Sequence, residues 1–168
     1  VTPIDVRITW MMKDDMRDVL AIERDCFPFP WTEDDFLESL RCRHVVGITA
    51  KNEFGRTIGY AVYELRTSKI ELMNLAVDRI CQRRRIGTQL INYLKRKLID
   101  RRPRITAEVI DTNLPAHLFF RANSFKAIRV NRDAFTDEND DKRDSYSMSY
   151  RRPPLFVAPA EAVCEGCQ

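Results

Sequence analysis

The chain has 168 residues, 44% hydrophobic and 32% charged, with a net charge of +3, which fits one domain able to bury a core without a disulfide scaffold or structural metal. These totals exclude a disordered or fibrous chain, and no apolar run approaches the roughly 20 residues of a membrane span. A charge of +3 is also too small by itself to mark a nucleic-acid partner.

In chain order, "DVRITWM" alternates Val6, Ile8 and Trp10, which predicts a half-buried strand. In "KDDMRDVLAIERDCF" Asp14 or Asp15 can cap a helix whose apolar face is Met16, Val19, Leu20 and Ile22. A second short helix is expected from Thr32, whose hydroxyl can cap a turn with Asp35 three residues on, ahead of Phe36, Leu37 and Leu40. "HVVGITA" and "TIGYAVYEL", separated by "KNEFGR" with its Gly55, read as an antiparallel hairpin, and "IELMNLAV" (70–77) as the next strand. Ile86, Leu90, Ile91, Leu94 and Leu98 then mark one apolar stripe of an amphipathic helix. "RITAEVI" (104–110) is a further strand, Asn113 and Pro115 start a short helix with Leu118, Phe119 and Ala122, and "FKAIRV" and "SYSMSY" are two last strands joined by the acidic segment "TDENDDKRD". The order β-α-α-β-β-β-α-β-α-β-β argues for an α/β (α+β) fold, one central sheet flanked by helices. Residues 1–152 form the domain and 153–168, "PPLFVAPAEAVCEGCQ", a tail of linker composition.

Cys26, Cys42, Cys81, Cys164 and Cys167 are odd in number and without a scaffold rhythm, so free thiols in a reducing compartment are expected. Cys164 and Cys167 form a CxxC, but a structural zinc site needs four ligands, and His44 and His117 lie far away in sequence; no metal is expected. The first strand pattern begins within six residues of Val1, which leaves no room for an export signal and makes the cytoplasm the expected compartment.

The segment "QRRRIGTQLINYLKRKL" (82–98) carries the most chemistry. It places three arginines and a glycine between a strand and a helix, where the first N–H groups of the helix lack partners and the dipole favours an anion. Basic residues oppose the dipole there, so the triplet calls for a compensating phosphate. The cations Arg83, Arg84, Arg85, Lys95, Arg96, Lys97, Arg101, Arg102 and Arg104 do not share one helix face or come with stacking aromatics, which argues against nucleic acid.

"MNLAVD" followed by "RICQRRRIGTQLINYL" resembles the acetyl-CoA loop of the GNAT acetyltransferase superfamily, as does the element order from residue 6 to 150. The family pattern, Gln/Arg-x-x-Gly-x-Gly/Ala, falls on Gln82, Arg85 and Gly87, so arginine replaces the first glycine. "IERDCFPFPWTEDDF" is further similar to the bacterial enzymes that acetylate the N-terminal alanine of a small-subunit ribosomal protein. The resemblance implies a mixed, mostly antiparallel sheet and acetyl-CoA as co-substrate, without a metal. It implies pantetheine contacts at Leu75, Ala76 and Val77, and pyrophosphate at Gln82, Arg83, Arg84, Arg85, Ile86, Gly87 and Thr88, with a further cofactor contact from Asn113. Glu108 matches the family's general base, and Phe120 stands where the family's general-acid tyrosine would be, without its hydroxyl. Tyr60, Tyr63, Tyr146 or water are candidate substitutes for that acid. Pro30, Trp31 and Phe135 are candidates for the acceptor groove.

Glu108 shares a strand face with Thr106 and Ile110, opposite Ile105, Ala107 and Val109, so it can look into a cleft. The acceptor implied is a protein N-terminus, such as that of a ribosomal protein, met by a monomer or homodimer. The alternatives are a lysine or small-molecule amine as acceptor, or an acyl-CoA-binding module without catalysis.

Overall fold

Side-chain caps and apolar stripes start the helices where the sequence places them. Thr32 Oγ1 accepts from the Asp35 N–H at 3.2 Å while Asp35 Oδ2 accepts from the Thr32 N–H at 2.7 Å, a closed capping box. Asn113 Oδ1 accepts from the Ala116 N–H at 3.1 Å, with Pro115 in the first turn. The structure, a computed structural model, describes residues 2–136 and 141–154. Its elements are β1 (Arg7–Trp10), α1 (Met16–Cys26), α2 (Glu33–Arg41), β2 (Val45–Lys51), β3 (Thr57–Leu65), β4 (Lys69–Val77), α3 (Ile86–Arg96), β5 (Arg104–Ile110), α4 (Leu114–Ala122), β6 (Lys126–Thr136) and β7 (Lys142–Arg151). The expected order is therefore present, with short 3-10 turns added at Lys13–Asp15 and Arg79–Cys81.

The seven strands form one sheet in the order β1-β2-β3-β4-β5-β7-β6, antiparallel throughout except for β4 against β5. At the β2–β3 turn Gly55 adopts φ +78°, a left-handed conformation that glycine enters without steric cost. One core lies on the α3 and α4 side, where Ile86, Leu90, Ile91 and Leu94 meet Ile105, Ala107 and Val109 of β5. Fully burying one such leucine or isoleucine stabilises the fold by about 1.5–3 kcal/mol. A second, smaller core lies on the opposite face, where Met16, Val19 and Ile22 of α1 and Phe36 of α2 cover Tyr60, Val62 and Ala76.

Two expectations need correction. Asp15 stands at the N-cap of α1, but its side chain makes no capping bond there: it is 5% exposed, it accepts from the Met12 N–H at 2.9 Å, and it pairs with Lys51 Nζ at 2.7 Å. The last two strands also run further into the acidic segment than "FKAIRV" and "SYSMSY" suggest. A register shift between Asn131 and Phe135, with Asp133 at φ 50°, absorbs the polar residues and lets pairing resume at Phe135↔Arg143. Residues 137–140 of the acidic segment, and Cys164 and Cys167 of the tail, lie outside the described residues. Cys26, Cys42 and Cys81 are free thiols.

Candidate active site

The sheet opens at its one parallel pair. β4 and β5 pair only over Lys69–Leu72 and Arg104–Ala107. The cause lies one strand away: β3 and β4 shift register between Val62↔Asn74 and Tyr63↔Leu72, which leaves Met73 as a bulge. A bulge bends its strand and ends local pairing. From Met73 onward β4 keeps β3 as its neighbour, so the side of Leu75, Ala76 and Val77 turned toward β5 has no strand against it. That geometry suits an extended amide chain such as pantetheine.

The loop after β4 is a braced turn. Asp78 Oδ1 accepts from the Ile80 N–H at 3.0 Å to start the turn, and Gln82 Nε2 donates to the Val77 carbonyl at 3.0 Å, bracing the loop to the strand end. Arg83 and Arg85 both take left-handed backbone conformations, with φ 62° and 64°. A non-glycine residue there costs roughly 1–2 kcal/mol, so Arg85 keeps the conformation that glycine would adopt freely while adding a cation. Such loops curl N–H groups around an anion, and α3 adds its own N-terminal N–H groups.

The three arginines are not equivalent. The Arg84 carbonyl accepts from the Ile4 N–H at 3.1 Å and Arg84 Nε donates to the Thr2 carbonyl at 3.2 Å, so Arg84 holds the N-terminal segment. Ile86 is buried in the core. A Cβ at Gly87 would meet the Phe119 ring at 3.0 Å, so the close approach this glycine permits within the chain is of α3 to α4. Thr88 is half-buried in the first turn of α3.

On the other arm of the opening, β5 alternates as its sequence predicts: Ile105, Ala107 and Val109 are buried and Glu108 is exposed. β5 lies between β4 and β7 and is not an edge strand. Glu108 Oε2 accepts from Asn131 Nδ2 at 2.8 Å and from Ser145 Oγ at 2.8 Å, and Glu108 Oε1 accepts from Ser147 Oγ. Three donors from β6 and β7 thus fix the carboxylate, although none was singled out in the sequence. The signal was present in "SYSMSY": Ser145, Ser147 and Ser149 alternate with Tyr146, Met148 and Tyr150, so the serines share the Glu108 face.

The same face nearer β3 is covered by α1 and α2. There Glu23, 1% exposed, accepts from the Trp31 N–H at 2.8 Å, from Asn74 Nδ2 at 3.1 and 3.2 Å, and from the Tyr60 hydroxyl. Burial pushes the Glu23 carboxyl above the ordinary range, against the pull of the Trp31 and Asn74 hydrogen bonds. Sequence reading missed it, although Glu23 continues the Met16 and Val19 stripe at helical spacing.

Pro30 and Trp31 line a groove of about 630 Å³ beside α2 and Met73, whose acidic rim includes Asp35, Glu38 and Glu64. Phe135 is half exposed on β6 and is not part of that lining. Phe120 is 6% exposed, its ring packed edge-on against Phe119 and Phe125. Asn113 uses its Oδ1 to cap α4. Of the tyrosines considered as a substitute acid, Tyr60 is buried and bonded to Glu23, while Tyr63 lies in the opposite core, where burial pushes its phenol up to about 12. Tyr146 is half-buried on that core side against His117.

The family model described as the acetyltransferase (GNAT) family matches residues 16–125. No curated protein sequence matches the chain. Among solved structures, Arabidopsis thaliana NAA60 in complex with a bisubstrate analogue is similar with a TM-score of 0.75 and 19% identity over 88% of this chain and 98% of that one. The ribosomal-protein-S18-alanine N-acetyltransferase from Escherichia coli gives 0.73 and 20% over 87% and 93%. Arabidopsis thaliana Naa50 in complex with the bisubstrate analogue CoA-Ac-MVNAL gives 0.71 and 15% over 88% and 99%. Identities this low carry the fold and not the acceptor. The chain belongs to the GNAT family of acetyltransferases, enzymes that draw the acetyl group from acetyl-CoA.

Proposed function

We propose that this GNAT acetyltransferase acetylates the N-terminal α-amine of a protein, such as a ribosomal protein, by direct attack in a ternary complex with acetyl-CoA. The observation that carries the reading is the exposed Glu108 carboxylate, fixed by Asn131, Ser145 and Ser147 on the arm of the sheet opening that faces β4. The likeness to a structure named as a ribosomal-protein-S18-alanine N-acetyltransferase and to one in complex with the bisubstrate analogue CoA-Ac-MVNAL supports it.

In this mechanism the backbone from Arg83 to Thr88, with the Arg83 and Arg85 guanidiniums, holds the pyrophosphate, and Leu75, Ala76 and Val77 hold the pantetheine. Acetyl-CoA, when bound, supplies a thioester carbonyl for the amine to attack and a thiolate that leaves with the electron pair of the broken C–S bond. Glu108 takes the proton that the amine loses as the C–N bond forms, directly or through one water. A thiol of pKa about 8.5 leaves tolerably well as its anion near neutral pH, so the missing hydroxyl at Phe120 slows the reaction without forbidding it. An α-amine with pKa about 7.7–8.0 is neutral far more often than a lysine at about 10.4; that gap of roughly 2.5 units is worth about 3.4 kcal/mol. A single carboxylate can therefore serve the α-amine more readily than the lysine.

The test is mass spectrometry of two peptide sets incubated with acetyl-CoA, one with free N-termini and no lysine, the other N-blocked with internal lysines. Acetylation confined to the first set is expected; acetylation of the second set alone would replace the reading by a lysine acetyltransferase.

A further inference from the structure

We infer that Glu23 is the positioning residue that sets the acceptor loop between α1 and α2 against the edge of the sheet opening, a role that rests on the acceptor reading above. The loop is stiffened by Pro28 and Pro30, which fix their own φ and restrict their neighbours. One end leaves α1 through the last backbone hydrogen bond of that helix, and the other is tied to the Glu23 side chain. The Phe27 N–H donates to the Glu23 carbonyl at 3.0 Å, and the Trp31 N–H donates to the Glu23 side chain at 2.8 Å. Between these points Phe29 and Pro30 are exposed and, with Trp31, line the groove beside Met73.

The other side of the carboxylate reaches the sheet. Asn74, the residue after the Met73 bulge, donates to both Glu23 oxygens at 3.1 and 3.2 Å, and the Tyr60 hydroxyl donates from β3. One buried group therefore links the peptide-facing loop to β4 at the point where it parts from β5. Every neighbour donates and the carboxylate only accepts, so an amide in its place would turn an N–H₂ toward a donor. Glu23 is too buried to meet a substrate, and its effect must travel through Trp31 and Asn74.

The test compares Glu23→Gln with wild type for free-N-terminal peptide and for acetyl-CoA. The expected result is a rise of about tenfold or more in KM for the peptide, with KM for acetyl-CoA changed less than twofold, as for loss of a hydrogen bond to a charged group. In a Trp10→Phe background, Trp31 fluorescence in the Glu23→Gln protein should also become more accessible to acrylamide. The double variant Glu23→Gln with Asn74→Asp restores a donor opposite an acceptor and should return the peptide KM to within threefold of wild type. Unchanged peptide KM and unchanged Trp31 quenching in a folded Glu23→Gln protein would overturn the inference. If the wild type acetylates no peptide, the acceptor reading falls, and the Trp31 fluorescence alone decides whether Glu23 holds the loop. If the variants do not fold, amide exchange in the wild type decides: Trp31 protected well above Phe29 supports the anchor, and equal exchange refutes it.

Discussion

Glu23 and Glu108 occupy the same side of one sheet, and each carboxylate is held by neutral donors: a backbone N–H, an amide and a phenol for Glu23, an amide and two serine hydroxyls for Glu108. They differ in cover. α1 and α2 close over Glu23, whereas Glu108 stands exposed on the arm of the sheet opening. Loss of a donor at Glu23 strands a polar group that water cannot reach, so its energy appears as stability. Loss of a donor at Glu108 leaves an oxygen that water can reach, so little stability is lost. The same hydrogen-bond chemistry is dry or wet according to what lies above it.

A third carboxylate, Asp15, extends this comparison because it has a cation. Burial raises its pKa, but the Lys51 hydrogen bond and charge, the Met12 N–H and the Thr57 hydroxyl outweigh that and hold it below the ordinary carboxylate value. Lys51→Met would leave Asp15 buried and unpaired, and a loss of about 3 kcal/mol in denaturant unfolding is expected. The two buried groups also respond oppositely to pH. The stability from Asp15 is complete above its unfolded pKa and is lost as pH falls through its lowered folded pKa. Glu23, with its raised folded pKa, makes stability decline as pH rises from its unfolded pKa to its folded one.

A smaller loss, about 1–3 kcal/mol, is expected for Tyr60→Phe, which removes a donor from the covered carboxylate. Thermal melting checks it. The converse holds for Ser145→Ala with Ser147→Ala. Turnover should fall about tenfold, equivalent to ~1.4 kcal/mol, while the melting temperature moves little. A large stability loss with full turnover would reverse the assignment of the two regions.

The parts of the molecule that sequence made legible are those whose signal is local. The Thr32 capping box, the Ile86 to Leu94 stripe and the alternation of β5 each lie within one element and were found where expected. The turn between β4 and α3 was legible for the same reason, as a polar break followed by an apolar stripe. What sequence could not show is which distant strands meet. The Met73 bulge, which opens the sheet, depends on register with β3. The Ser145, Ser147 and Asn131 clamp depends on β7 lying between β5 and β6. Glu23 was hidden for a different reason: a glutamate on a helix is ordinarily solvated, and only the packing of α1 against β3 and β4 makes this one a buried hub.

The most direct measurement is the initial rate of acetyl transfer to a free-N-terminal peptide by wild type and Glu108→Gln at saturating acetyl-CoA, with acetyl-CoA affinity measured alongside. Removal of a general base predicts a fall of about 10²-fold or more in turnover with affinity for acetyl-CoA unchanged. Equal turnover by the two proteins would remove Glu108 from the chemistry and contradict the proposed mechanism.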